Sequence, residues 1–80
     1  MTPLYSKQAG KYLDALGAPA QQRIRQGIAG IPHGDIKPLK GSPGDYRLRI
    51  GDWRILFAYA EENAVKIKKI GVRGEVYKGV

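Results

Sequence analysis

Arginine is concentrated in one short part of the sequence, where Arg47, Arg49 and Arg54 lie within the run YRLRIGDWRILFAY. Polar and apolar residues alternate on both sides of Gly51 and Asp52, which predicts a β-hairpin with a two-residue turn. In that hairpin Arg49 lies opposite Arg54, and all three arginines share one face. Clustered guanidinium groups bind phosphate through planar, bidentate hydrogen bonds. The hairpin therefore predicts an anion-binding face.

A simpler interpretation is that these arginines form the solvated face of an amphipathic strand. Two like charges directly opposite each other destabilise a sheet, however, and nothing in the predicted fold requires the pair of Arg49 and Arg54. Local rules of this kind are broken where a site is built. The anion site is therefore the favoured interpretation.

The apolar residues of the hairpin fall on the opposite face of the sheet and predict its core. They are Tyr46, Leu48, Ile50, Trp53, Ile55, Phe57 and Tyr59. A third strand over residues 64–70 returns through a three-residue loop in which Asn63 takes the left-handed conformation. This strand adds Lys66 and Lys68 to the arginine face. Regular alternation would aim Lys69 into the core, so we expect a bulge at positions 68 and 69 or an edge where Lys69 reaches solvent.

Two short amphipathic helices precede the hairpin. Ser6 suits the N-cap of the first helix and Gly17 its end, and Pro19 suits the first turn of the second. The apolar positions at helical spacing are Ala9, Tyr12, Leu13 and Leu16 in the first helix, and Ala20, Ile24, Ile28 and Ile31 in the second. Because both helices have one apolar side, we expect them to pack together on the core face of the sheet.

The remaining segments are expected to be irregular. Residues 32–44 contain three Pro and three Gly, which is typical of a loop. Residues 71–74 predict a turn around Arg73, residues 75–77 a short strand or extended tail, and the segment before Tyr5 a short edge strand. The sequence therefore predicts one α+β domain over residues 1–80, with an N-terminal helical hairpin packed on one face of a small, mainly antiparallel β-sheet.

The net charge indicates a polyanionic partner. The 80 residues include 14 Lys and Arg against 7 Asp and Glu, a net charge of +7. Residues 37–80 hold ten of the basic and five of the acidic residues, so +5 of this charge lies in the part that contains the arginine face. A chain of this length excludes a two-domain enzyme.

Composition also narrows the possible chemistry. The chain has no Cys and one His, which excludes a zinc site built from those ligands. Its acidic residues include no pair at a general acid/base spacing, which argues against two-metal nuclease chemistry. The first ten residues lack the pattern of a signal peptide, and no apolar stretch approaches the ~20 residues of a membrane span. We therefore expect a cytoplasmic protein that uses no metal or other cofactor and does not bind a membrane.

Two stretches, LKGSPGDYRLRIGDWRILFAY and IKKIGVRGEVY, resemble the RelE/ParE toxin superfamily of bacterial toxin-antitoxin modules, and within it the RelE-like mRNA interferases. The resemblance extends from Tyr5 to Tyr77 and includes the helical opening YSKQAGKYLDAL. It implies an endoribonuclease that binds the ribosomal A site and cuts mRNA without metal, the ribose 2′-hydroxyl attacking its own phosphodiester. It also implies a cognate antitoxin, which for a +7 toxin is expected to be acidic.

The resemblance implies roles for individual residues. The family's catalytic positions correspond to Arg47 and Arg49 on the first hairpin strand, Arg54 on the second, Arg73 after the glycine turn, and Tyr77. The arginines would hold phosphates and stabilise the charge that develops on phosphorus. Tyr77 would take the 2′-hydroxyl proton or stack on the nucleotide. Both roles stay open, because the best-known relatives carry lysine at positions 47 and 49, and lysine can lose a proton whereas arginine effectively cannot. Looser RNA contacts are expected from Lys37, Lys40, Lys66 and Lys68.

A second class of function stays open, because the superfamily includes ParE-like toxins that inhibit DNA gyrase without enzymatic activity. An RNA-binding protein that has lost its activity is a related possibility. ParE-like relatives generally lack the combination of Arg54, Arg73 and Tyr77, which favours the nuclease.

Overall fold

Five strands form one sheet, and two helices cover one of its faces. The computed structural model describes residues 1–77. In chain order the elements are β1 (Thr2–Tyr5), α1 (Lys7–Asp14), α2 (Ala18–Ala29), β2 (Asp35–Pro38), β3 (Asp45–Ile50), β4 (Trp53–Ala60), β5 (Ala64–Val72) and a 3₁₀ helix (Arg73–Tyr77). The strands lie in the order β1, β5, β4, β3, β2, with β1 parallel to β5 and all other neighbours antiparallel. The predicted α+β fold is confirmed.

The helices begin where the sequence predicts. Ser6 Oγ accepts a hydrogen bond of 3.1 Å from the backbone N–H of Ala9 and so caps α1, and Pro19 lies in the first turn of α2. The predicted end of the first helix at Gly17 is wrong, because α1 ends at Asp14 and the extended backbone of Gly17 (φ −67°, ψ 160°) forms the N-cap of α2 instead. Within residues 1–77, no helix has the length and apolar character needed to cross a membrane.

The core lies between the helices and one face of β3, β4 and β5. Its members, all fully or almost fully buried, are Ala9, Leu13, Ile24, Ile28, Ile31, Leu48, Ile55, Phe57, Val65, Ile67 and Ile70. The predicted core positions Tyr46, Ile50 and Trp53 pack against this cluster and are partly buried. Tyr59 differs from the prediction: it is 40% exposed and contacts the rings of Tyr46 and Phe57 edge-on, 5.2 and 5.4 Å away.

The predicted register of the hairpin is confirmed. Ile50 pairs with Trp53 and Arg49 with Arg54 across a turn in which Gly51 has a φ of +57°. On the other side of β4, Phe57 pairs with Ile67, but the next residue, Leu56, pairs with Lys69, so Lys68 is the extra residue of a bulge. The bulge predicted at positions 68 and 69 is therefore confirmed. It turns Lys69 away from the core.

Two irregular segments of the prediction are wrong. Residues 32–44 are not all loop, because Asp35–Pro38 forms the edge strand β2, in which partly buried Ile36 lies between exposed neighbours. Pro38 is tolerated there because it ends a strand at the edge of the sheet. The turn predicted over residues 71–74 and the strand or tail predicted over residues 75–77 are not found. Instead, β5 continues for two more residues and is followed by the 3₁₀ helix Arg73–Tyr77.

Candidate phosphate-binding face

The face of the sheet turned away from the helices, here called the outer face, carries most of the predicted site. Register partners on neighbouring strands lie on the same face of a sheet. Two neighbouring rows across the outer face are Asp35, Arg49, Arg54 and Gly71, and Lys37, Arg47, Leu56 and Lys69. Basic side chains from all four of these strands therefore meet on one surface.

Asp35 lies between two of the predicted arginines. Its carboxylate is 3.1 Å from Arg49 Nε and 3.6 Å from a terminal nitrogen of Arg47. The side chain of Arg47 is only 13% exposed, whereas that of Arg49 is 54% exposed. Two guanidinium groups thus converge on one carboxylate, an arrangement that equally suits the oxygens of a phosphate.

The ion pair of Asp35 with Arg49 corrects the expectation that the like charges of Arg49 and Arg54 face each other without a structural reason. Asp35 is the other register partner of Arg49, so a negative charge lies on one side of Arg49 and a positive charge on the other. The compensation was missed because position 35 falls in the segment predicted to be a loop.

Arg54 is held against the β3–β4 turn. Its terminal nitrogen donates hydrogen bonds to the carbonyl oxygens of Gly51 at 2.9 Å and Trp53 at 3.2 Å. Arg73 lies at the same turn, since its backbone N–H donates to the carbonyl of Asp52 at 2.9 Å. The turn therefore places the backbone of Arg73 near Arg54, although the two residues are 19 positions apart.

The 3₁₀ helix is fixed to the outer face by Val76. Val76 is 1% exposed and lies outside the main core. A Cβ atom at Gly71 would lie 3.3 Å from Val76 Cβ, so the absence of a side chain at position 71 lets the helix approach β5 closely. Arg73 and Tyr77, the first and last residues of this helix, are both exposed. The contact of Gly71 with Val76 therefore positions both of these predicted catalytic residues.

The four predicted RNA-binding lysines differ in their surroundings. Lys37 and Lys66 are exposed on the outer face, as register partners of Arg47 and Ala58. Lys40 is exposed in the turn between β2 and β3 and belongs to neither row. Lys68 Nζ lies 2.7 Å from Asp45 Oδ1, so its charge is already paired within the chain.

The pKa of the Asp45 carboxyl is lowered by two neighbouring side chains. Hydrogen bonds from Lys68 and from Ser42 Oγ hold the pKa of the Asp45 carboxyl below its usual value. This cluster ties β5 to the start of β3.

Sequence reasoning missed three residues of this region. Lys69 joins the row of Arg47 because of the bulge; the bulge itself was predicted, but Lys69 was not predicted to belong to the site. No sequence pattern indicated that Asp35 belongs to the site, because a four-residue edge strand hardly differs from a loop in sequence. Arg23 of α2 reaches the β3–β4 turn and covers the ring of Trp53, with 5.5 Å between the guanidinium carbon and the ring centroid. Among residues 1–77, no three His, Cys, Asp or Glu side chains are grouped as metal ligands would be.

Solved structures identify the architecture. The chain is similar to the crystal structure of the RelB-RelE antitoxin-toxin complex from Methanococcus jannaschii, with 23% identity, a TM-score of 0.72 and coverage of 92% of this chain and 94% of that one. It is similar to the toxin-antitoxin complex RelBE2 from Mycobacterium tuberculosis, with 23% identity, a TM-score of 0.73 and coverage of 90% and 96%. It is also similar to the archaeal RelE-RelB complex from Pyrococcus horikoshii, with 26% identity, a TM-score of 0.69 and coverage of 91% and 94%.

No protein-family model matches the sequence, and neither does any curated protein. Each of the three solved structures nevertheless matches at least nine tenths of this chain. The chain therefore has the RelE-like toxin fold, as the resemblance implied.

Proposed function

We propose that this chain is the toxin of a toxin-antitoxin module and acts as a metal-independent endoribonuclease on mRNA in the ribosomal A site. The observation that carries the proposal is the grouping of permanent cations on the outer face. Arg47 and Arg49 converge on one carboxylate, Arg54 is the register partner of Arg49, and the backbone of Arg73 is bound to the β3–β4 turn. An arginine cluster of this kind matches the charge that develops during cleavage of a phosphodiester.

The proposed chemistry is the one that the resemblance to RelE-like mRNA interferases implies. The 2′-hydroxyl loses its proton and its oxygen attacks the adjacent phosphorus while the bond from phosphorus to the 5′-oxygen breaks. The 5′-oxygen takes a proton from water, so the products are a cyclic phosphate and a free 5′-hydroxyl. Negative charge gathers on the phosphorane oxygens, where Arg54 and Arg73 stabilise it by a few kcal/mol per donor, as is typical of fixed cations. Arg47 and Arg49 hold the scissile and neighbouring phosphates. Tyr77 takes the 2′-hydroxyl proton or stacks on the nucleotide.

The proposed partners are the ribosome with its mRNA and an acidic antitoxin, all in the cytoplasm. The structural neighbours are complexes of RelE with RelB, which supports an antitoxin for this chain. The toxin has a net charge of +7 and basic side chains in two rows of the outer face, so an acidic segment of the antitoxin is expected to bind there. Such a segment would compete with RNA for the same arginines.

Purified protein incubated with programmed ribosomes, followed by mapping of mRNA ends, tests the proposal. The wild type is expected to cut at the A site and Arg73→Gly to lose about a hundredfold or more in rate, the effect of removing one stabilising donor. Glycine adopts the positive φ of position 73 readily, so this variant keeps the fold. Lys11→Ala removes the same charge from exposed α1 and is expected to cut normally. Intact mRNA with wild-type protein would overturn the nuclease, and trapped gyrase-DNA complexes would support a ParE-like toxin instead.

A further inference from the structure

Leu56 is an apolar residue in the middle of a basic row on the outer face. It pairs with Arg47 of β3 on one side and with Lys69 of β5 on the other. It is nevertheless only 3% exposed, although it does not belong to the main core. Its neighbours on the outer face therefore shield it from water.

This shielding positions the side chain of Lys69. Register partners have Cβ atoms about 5 Å apart, so Arg47 and Lys69 flank Leu56 closely. The Arg47 side chain is 13% exposed, and Lys69 is partly buried. Long basic side chains bury their alkyl stems along apolar neighbours and keep the charged end at the surface. The ammonium of Lys69 is therefore held at the outer surface, with its stem beside Leu56.

Lys69 also lies beside residues to which phosphate binding is assigned. It is the diagonal neighbour of Arg54, which pairs with Gly71, and long side chains at diagonal positions are within reach of each other. Arg47 lies two strands away in the same row, a separation of about 10 Å. A phosphate bound over Leu56 is thus within reach of Arg47 on one side and Lys69 on the other.

Lysine differs from the neighbouring arginines in its proton chemistry. An arginine does not give up its proton in proteins, whereas a lysine ammonium can act as an acid. Of the two lysines in these rows, Lys37 lies on edge strand β2, on the far side of Arg47, and Lys69 lies on β5, on the side of Arg54. Within the two rows, Lys69 is therefore the proton donor nearest the proposed centre of charge stabilisation.

We propose that Lys69 is a further catalytic residue and acts as the general acid for the leaving 5′-oxygen. As the bond from phosphorus to this oxygen breaks, an N–H bond of the ammonium also breaks and its proton passes to the oxygen. The neutral amine then takes a proton from water, so that water remains the final source. The inference rests on the proposed function, which supplies the reaction and the substrate.

A leaving group that needs no proton tests this role. In the probe mRNA, sulfur replaces the 5′-oxygen of the cleaved bond, and the leaving thiolate is stable without protonation because a thiol already ionises near pH 8.5, roughly. Ribosomes programmed with this mRNA are compared with ribosomes that carry ordinary mRNA. The rate of cleavage at the A site is measured for both.

Two variants separate the proton of Lys69 from its charge and its packing. Lys69→Met removes the ammonium and keeps a long apolar stem beside Leu56, whereas Lys69→Arg keeps the positive charge. Both are expected to cut ordinary mRNA about a hundredfold more slowly than the wild type, which is within the usual effect of a general acid. Both are expected to cut the sulfur-containing mRNA at close to the wild-type rate.

Two controls accompany these variants. Arg73→Gly removes a charge that stabilises the phosphorane in the proposed reaction, so it is expected to be slow on both mRNAs. Lys11→Met makes the same substitution as Lys69→Met on exposed α1 and is expected to cut both mRNAs normally.

Normal cleavage of ordinary mRNA by either Lys69 variant would overturn the inference. Equal loss on both mRNAs in both Lys69 variants would also overturn it, because Lys69 would then act through charge or packing alone. These outcomes include cleavage by the wild type, so they leave the nuclease proposal intact. Absence of cleavage by the wild type would overturn the nuclease and the general acid together.

Discussion

Asp35 and Arg49 are register partners on β2 and β3, and their side chains form an ion pair with 3.1 Å between Oδ2 and Nε. The same carboxylate also lies 3.6 Å from a terminal nitrogen of Arg47. A carboxylate of the chain thus occupies the place between two guanidinium groups where a phosphate oxygen would bind. Under the proposed function, RNA would have to displace this carboxylate or share the arginines with it.

The variant Asp35→Asn is expected to bind single-stranded RNA more tightly than the wild type. Pairs as exposed as these contribute roughly 0.2–1 kcal/mol, so we expect up to about a fivefold gain at low salt. The dependence of binding on salt is expected to become steeper, because one more phosphate contact becomes available. Fluorescence anisotropy with a labelled oligonucleotide over a salt series measures both quantities.

Asp14→Asn is the matched control for this variant, since it makes the same change in net charge on the exposed side of α1. It is expected to change RNA affinity by less than half as much. Weaker binding by Asp35→Asn than by the wild type would mean that the carboxylate matters mainly by orienting Arg47 and Arg49.

The central hairpin could be predicted because its information is local. A two-residue turn fixes the register, and the period of two then assigns every residue to a face. Arg47, Arg49 and Arg54 were placed correctly on this basis, as was the bulge that interrupts the alternation near Lys69.

The edge strand and the C-terminal helix could not be predicted because their causes are not local. β2 is held by pairing with β3, and its four residues, which follow Gly34 and end at Pro38, have no periodicity of their own. The 3₁₀ helix depends on the contact of Val76 with Gly71, which only the folded sheet creates. Asp35 and the positions of Arg73 and Tyr77 were therefore beyond sequence reasoning.

Gly71→Ala is expected to impair the 3₁₀ helix. The new Cβ would lie 3.3 Å from Val76 Cβ and 3.4 Å from Val76 Cα, so the helix must move by a few tenths of an ångström. Overpacking of this kind costs about 1 kcal/mol of folding stability. Chemical denaturation measures this loss, and ribosome assays are expected to show slower cleavage because Arg73 and Tyr77 move together.

Gly74→Ala is the control within the same segment, because a Cβ at Gly74 would meet nothing within 4 Å. We expect it to leave both stability and cleavage close to those of the wild type. If Gly71→Ala behaves like Gly74→Ala, the contact with Val76 does not position the helix.

Arg73 has a φ of +47°, in the left-handed region that side chains other than glycine rarely adopt. Such a conformation costs of order 1 kcal/mol. Arg73→Gly is therefore expected to be more stable than Arg73→Ala by about that amount, while both variants lose cleavage. Thermal unfolding of the two proteins gives the comparison, and an equal midpoint for both would show that position 73 carries no backbone strain.

The ion pair of Asp45 and Lys68 is expected to make stability depend on pH in the acidic range. Because the pKa of Asp45 is lowered in the folded state by Lys68 and Ser42, the unfolded chain takes up this proton first as the pH falls. The pair therefore stabilises the fold above pH about 4, the usual aspartate value, and its contribution is lost below it.

Asp45→Asn tests this dependence. Since Lys68 is about half exposed, the contribution at neutral pH is expected to be about 1 kcal/mol or less. Urea unfolding at pH values from neutral to strongly acidic is expected to show a shallower acid loss in Asp45→Asn than in the wild type, because the variant has no carboxyl there to protonate. Asp14→Asn serves as the control and should keep the wild-type slope. If both variants lose stability in acid as steeply as the wild type, the pair between β3 and β5 contributes nothing to folding.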